Sequence, residues 1–232
     1  MMKTYSTPDD CTLPGLDAPC FRDLLPEEVS LARESKTMVV FHKGENLAKQ
    51  GAFASSVLFI IDGLAKRYVE GDAGRNYNIS LVKSGEFLGL SAAFGASTYP
   101  YSVVALSEVS ACLIEKDTVA SMAKNNGTFA HSIISRYCQN NNLLYTAISK
   151  LTNKQMNGRM ADALLYLDSA RQEGQQVFTQ LSRKDIADFA GVSTESAVKL
   201  LKSFEKDGLI KLDEKDIVLL RHAALEDLSR RG

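Results

Sequence analysis

At 232 residues the chain has room for one large domain or two small ones, and its 45% hydrophobic and 24% charged residues exclude a largely disordered protein. A net charge of −1 gives no bulk attraction to nucleic acid or membrane, so any polyanion contact has to come from local placement of charge. The longest apolar stretch, around Val57–Ala65, is broken by Asp62 and falls far short of the ~20 residues of a membrane helix. Met1–Asp10 is polar and does not read as an export leader, so a cytoplasmic protein with no membrane partner is expected. Four cysteines in that setting read as free thiols or metal ligands rather than a disulfide framework.

Four of the five prolines (Pro8, Pro14, Pro19, Pro26) fall in the first 26 residues, which predicts an irregular N-terminal arm. Eight of the fifteen glycines lie between Gly44 and Gly95 and separate short apolar runs: Thr37–Phe41, Val57–Ile61, Leu64–Val69 and Tyr77–Val82, followed by Ser102–Leu106 and Val109–Ile114. Short strands punctuated by turn residues at this spacing predict a β-sandwich or barrel. After Glu115 the texture becomes helical. Asp117–Lys124 reads as a short helix stopped by Asn125-Asn126-Gly127, with Thr128 placed to cap the next. From there Ala130, Ile134, Tyr137, Asn141, Leu144, Ile148 and Leu151 follow alternating steps of four and three, a heptad seam with one central Asn to fix register and partner number. A homodimer along this seam is the expectation; a helix lying on its own β-domain is the alternative. A further helix is expected from a Thr152 cap to about Gln172, with Met156, Met160, Ala163, Leu164 and Leu167 as core.

Leu181–Ile210 carries the functional signal. Ser182 with Asp185 three residues on is a cap with an acidic first turn. The helix Arg183–Ala190 is followed by Gly191, and Ser193 caps a second helix running to about Asp207, with Ala197, Leu200, Leu201 and Phe204 inward. Two short helices joined by a Gly-containing turn, with Ala187 at their approach, are the helix-turn-helix pattern. Gly208 ends the second helix, and Leu209–Leu212 with Ile217–Leu220 read as a wing hairpin. On the outward face of the second helix, Glu195 suits a cytosine amino group and Lys199 suits guanine acceptors. Ser193, Ser196, Lys202, Arg183 and Lys184 suit phosphates, with Thr194 alongside at the helix start.

The whole arrangement resembles the Crp/Fnr family of bacterial transcription regulators. In the N-terminal half the resemblance rests on Lys43-Gly44-Glu45, Gln50-Gly51, Leu58-Phe59-Ile60-Ile61-Asp62-Gly63 and Gly85-Glu86-Phe87-Leu88-Gly89. In the C-terminal half it rests on Leu181 to Ala187 and on Gly208-Leu209-Ile210. It implies an α+β protein: an N-terminal arm and β-roll sensor of the cyclic-nucleotide-binding type (1–127), a long dimerisation helix (128–151) and a winged helix-turn-helix (152–232). The implied partners are double-stranded promoter DNA, read as a palindrome through Thr194, Glu195 and Lys199, a second copy of the chain, and RNA polymerase. Lys199 stands where the family usually has Arg, which loosens bidentate guanine reading.

The cyclic-AMP-binding members use an acidic residue after the Gly-Glu-Phe turn, then an Arg-Ser pair that clamps the cyclic phosphate. Here Gly89-Leu90 and Tyr101-Ser102 occupy those positions, so an effector pocket at Gly89, Leu90, Tyr101 and Ser102 lacks its charge-assisted contact, and cyclic AMP in the usual mode is not expected. The Gly95 to Tyr101-Ser102 pattern is closer to the oxygen-sensing fumarate–nitrate branch, whose iron–sulfur cluster implies Cys11, Cys20 and Cys112 as ligands. The spacing departs and a fourth thiolate is missing, and Cys112 is equally suited to a buried strand. No cofactor is assigned. Three scattered histidines, no nucleophile elbow and no phosphate loop argue against an enzyme. The alternative function is a β-roll signalling module acting on a protein partner without specific DNA binding.

Overall fold

The computed structural model describes residues 24–171 and 177–232. The described residues divide into two compact units, one of 24–67 with 81–142 and one of 68–80 with 143–171 and 177–232.

The described part of the first unit opens with α1 (Pro26–Glu34). Pro26 therefore starts a helix instead of extending an irregular arm. Proline is well tolerated there because the first-turn N–H groups have no helical partner, and the Glu28 carboxylate accepts the Leu25 N–H at 2.8 Å. The strands follow as β1 (Lys36–Phe41), β2 (Asn46–Ala48), β3 (Ser56–Asp62), β4 (Ala65–Glu70), β5 (Asn76–Val82) and β6 (Phe87–Leu88). Then come α2 (Leu90–Ala93), β7 (Ser102–Ala105), β8 (Val109–Glu115) and α3 (Lys116–Asn125). They form two four-stranded sheets in the orders β1-β8-β3-β6 and β2-β7-β4-β5. β8 pairs antiparallel with both β1 and β3, so Cys112 lies between Met38 and Phe59.

Strand alternation explains the continuous apolar run of β3. Leu58 and Ile60 enter one core cluster with Val39, Ala65, Leu88, Val103 and Val109, while Val57 and Phe59 turn to a second cluster with Phe87, Cys112, Val119 and Met122. Both faces are covered, so neither needs polar residues.

The long helix α4 (Gly127–Asn153) begins one residue before Thr128, the expected cap. Asn126 caps it instead: its Oδ1 accepts the Phe129 N–H at 3.0 Å, and its Nδ2 donates to Glu28 Oε2 at 2.8 Å. Both residue types cap well; the tertiary bond to Glu28 selects Asn126. Thr152 is likewise not a cap. It sits in the last turn of α4 with its hydroxyl donating to the Ile148 carbonyl at 3.0 Å, and α5 (Met156–Ser169) starts four residues later.

In the second unit α5 is followed by α6 (Val177–Gln180), α7 (Arg183–Ala190), α8 (Thr194–Lys206), β9 (Ile210–Asp213), β10 (Asp216–Leu219) and α9 (His222–Arg231). Its core holds Met160, Leu164, Leu167, Phe178, Ile186, Leu201, Phe204, Ile210 and Leu225; Met156, an expected core residue, is 51% exposed. α9, unanticipated, locks onto α5: Ser229 Oγ donates to Asp162 Oδ1 at 2.7 Å, and Lys154 Nζ lies 2.7 Å from Asp162 Oδ2. Among the described residues no helix is long and apolar enough to cross a membrane.

Candidate nucleic-acid interface

Local chemistry sets each boundary of the α7–α8 pair. Ser182 Oγ accepts the Asp185 N–H at 3.1 Å and Asp185 Oδ2 accepts the Ser182 N–H at 2.7 Å, closing a reciprocal cap on α7. Gly191 then adopts φ +62, a left-handed conformation that an L side chain enters only at a cost, and the Val192 N–H returns to the Ala187 carbonyl at 3.1 Å. Ser193 Oγ accepts the Ser196 N–H at 3.1 Å and caps α8. Ile186, Ala187 and Ala190 of α7 meet Ala197, Leu201 and Phe204 of α8 in the interior, with Leu200 only half-buried.

Two arginines outside the expected set hold the end of α7 and the wing in place. Arg159 of α5 donates from Nε to the Ala190 carbonyl at 3.0 Å and from Nη1 to the Lys154 carbonyl at 2.8 Å, pinning the end of α7. Arg171 donates to the Ile217 carbonyl at 2.6 Å and to Asp216 Oδ1 at 3.2 Å, anchoring the wing, whose strands pair from Asp213↔Asp216 to Ile210↔Leu219. Neither bond leaves a pattern in sequence, because the partners are backbone carbonyls or lie tens of residues away.

The other face of α8 is polar and open. Thr194, Glu195, Lys199 and Lys202 are exposed, with Ser196 half-buried. Lys199 Nζ donates to Glu195 Oε1 at 2.7 Å, one turn apart, and the two side chains are 75% and 78% exposed. An exposed pair of this kind contributes only about 0.3–0.5 kcal/mol, so it opens readily toward a better partner. Ser193 and Ser196 are bonded to each other through their hydroxyls at 2.9 Å. Lys184 is held by Asp188 at 2.8 Å, and Arg183 is half-buried. The face thus presents one acceptor and several donors on a rigid helix.

Along α4, Ile134, Tyr137, Leu144, Ile148 and Leu151 are 41–59% exposed, Asn141 is half-buried, and Phe129 and Ile133 turn into the core. Of the expected effector-pocket residues, Gly89 and Tyr101 are joined: the Gly89 N–H donates to the Tyr101 hydroxyl at 3.0 Å. Ser102 is buried with its Oγ accepting the Gln50 N–H at 2.9 Å, and Leu90 points into the second core cluster.

Cys11 and Cys20 lie outside the described residues. Cys112 is buried among Val57, Phe59 and Ile114, and burial pushes its thiol up to about 11. Cys138 is exposed on α4. Among the described residues no group of three or more His, Cys, Asp or Glu side chains is placed to hold a metal.

Residues 38–126 match the cyclic nucleotide-binding domain, and residues 158–228 match the Crp-like helix-turn-helix domain. The chain belongs to the Crp/Fnr family. The transcriptional activator protein anr of Pseudomonas aeruginosa is 27% identical, across 91% of this chain and 87% of its own length. The cyclic AMP receptor protein of Thermus thermophilus is 20% identical across 91% and 97%. In fold the chain is similar to FixK2 from Bradyrhizobium japonicum, at a TM-score of 0.75 and 19% identity, covering 85% of this chain and 98% of that one. Like other Crp/Fnr proteins it is a DNA-binding transcription regulator, and the reading as a β-roll module acting on a protein partner is not favoured. Both matched domains are binding domains and the relatives are regulators, not enzymes.

Proposed function

We propose that the chain works as a cytoplasmic homodimer, zipped along α4, that inserts one α8 from each copy into successive major grooves of a palindromic promoter site and responds to an effector or redox signal sensed in the β-roll. One observation carries this reading: α8 is divided cleanly, with Ala197, Leu201 and Phe204 buried and Thr194, Glu195, Lys199 and Lys202 open to solvent. A helix of that character, capped at Ser193 and packed on an α7 whose end Arg159 pins, offers base-edge groups on a rigid mount. Glu195 and Lys199 face base edges beside Thr194. Arg183, Lys184, Lys202 and the Ser193–Ser196 turn face phosphates, which set affinity and its salt dependence. RNA polymerase is the partner through which a bound dimer acts on transcription.

The exposed α4 stripe supports the dimer, since burying it removes five large apolar side chains per copy from water, and Asn141 at its centre favours a single register. The cysteines support a cluster less well. The Cys112 thiol is protonated and enclosed by apolar side chains. Among the described residues Cys112 is the single candidate ligand, and one such thiol does not make a cluster site. An absorbance spectrum and iron assay on protein purified without oxygen decides the point: a colourless, iron-free sample is expected.

Gel shifts with promoter fragments over a salt series test the main reading. Retention of specific complexes in excess random DNA is expected; equal competition by random DNA at every salt concentration refutes it.

A further inference from the structure

Arg67 on β4 is an unusual residue for a β-roll interior. Its side chain is 5% exposed, it lies on the same strand face as Ala65 of the inner core, and its Cζ sits 4.8 Å from the centroid of the Tyr101 ring. Buried guanidiniums ordinarily have their donors bonded. Here Nε and Nη2 have no hydrogen-bond acceptor among the described residues. Those two groups form one edge of the guanidinium, and their parallel N–H bonds match the spacing of two oxygens on a carboxylate or phosphate.

The carboxylate already nearby does not fill that edge. Glu86 Oε2 stands 3.6 Å from Nη2, beyond hydrogen-bonding distance, while its Oε1 accepts the Lys83 N–H at 3.2 Å. Burial pushes the Glu86 carboxyl above the usual range, against the opposing pull of Arg67, Lys83 and Arg136. Arg67 is thus a buried cation whose described ion pair is a long one, in a setting where uncompensated charge is expensive. Glu86, with a third of its side chain exposed, is the solvent-facing member of the pair. The Tyr101 hydroxyl is occupied by the Gly89 N–H, which fixes the ring under Arg67.

We propose that this β-roll takes a small soluble oxyanion, a carboxylate or phosphate group, on the Nε–Nη2 edge of Arg67, with Glu86 swinging aside to admit it. The cation comes from β4, a neighbour of β7 in the sheet, and not from the position of Tyr101. The inference deepens the sensor reading of the β-roll and rests on it, since an anion held there is the chemical class of the effector.

Calorimetric titration of the full chain without DNA, at constant ionic strength, tests it with three probes: inorganic phosphate, succinate and cyclic AMP. At least one is expected to bind; which one separates a phosphate group from a carboxylate. Arg67→Met is expected to weaken that binding by about tenfold or more, because two charge-assisted bonds are lost. Glu86→Gln, which removes the competing carboxylate and keeps the shape, is expected to tighten it, and this gain does not depend on whether Arg67→Met folds. Absence of binding for all three probes in both wild type and Glu86→Gln overturns the proposal, as does binding that Arg67→Met leaves unchanged. Gel shifts run separately keep a failure here distinct from a failure of DNA binding.

Discussion

Replacing Lys199 by Ala separates the reading role of α8 from its structural role. The side chain is 75% exposed and its described bond is to Glu195, so the loss to the fold is that of an exposed i,i+4 pair, about 0.3–0.5 kcal/mol. Alanine returns a few tenths of this through its higher helix propensity. The melting temperature should therefore fall by no more than roughly 1–2 °C. On DNA the loss is larger: a base-edge contact is worth about 1–3 kcal/mol, and a symmetric dimer loses it twice, so specific binding should weaken roughly 30-fold or more. The freed Glu195 carboxylate, no longer neutralised, adds repulsion from the DNA. Fluorescence anisotropy on an operator set varied one position at a time, at several salt concentrations, resolves the outcome. Base preference should relax at one position per half-site while the salt slope holds. A uniform loss across sequences with a shallower slope means that Lys199 only touches phosphate, and a large fall in melting temperature means that it holds α8 together; either result refutes the assignment.

Gly191→Ala places a β-carbon in a left-handed turn, with Leu151 Cδ2 at 2.6 Å free to shift aside, so a loss of about 1–2 kcal/mol is expected by urea unfolding, and an unchanged midpoint contradicts the role given to this turn. Ile134→Glu combined with Ile148→Glu puts charge into the α4 stripe at sites 59% and 58% exposed in the single chain; sedimentation should show monomers with an intact circular dichroism spectrum, and a persisting dimer contradicts the seam. Burial raises the Cys112 thiol from 9.0 to about 11, so the folded chain holds that proton more tightly than the unfolded one. The stabilising difference is present below pH 9 and is lost as pH rises toward 11. Cys112→Val should flatten the fall in stability over that window relative to wild type, and at pH 8 iodoacetamide should label exposed Cys138 well before Cys112; parallel pH profiles and equal labelling rates contradict the buried placement.

The helix-turn-helix was legible because its boundaries are written in adjacent residues: the Ser182–Asp185 cap, Gly191, the Ser193 cap and Gly208 each act within a few positions. The main strands were legible through their apolar runs. β2 and β6, three and two residues long, are too short to carry a period, and α9 starts at His222 after Arg221, which makes no side-chain cap to announce it. The start of α4 was misplaced because Asn126 and Thr128 are both good caps and the choice depends on Glu28, 98 residues earlier in the chain. Arg159 and Arg67 illustrate a deeper limit. One is defined by a carbonyl it reaches and the other by acceptors it lacks, and neither is a property of local sequence.

The most direct test of the central claim is a hydroxyl-radical footprint of the full chain on a promoter fragment that it retains in gel shifts. Two equal protected patches on one face of the duplex, one helical turn apart and related by two-fold symmetry, are the expected result. A single patch, or protection spread evenly along the fragment, contradicts a dimer that reads DNA with a pair of α8 helices.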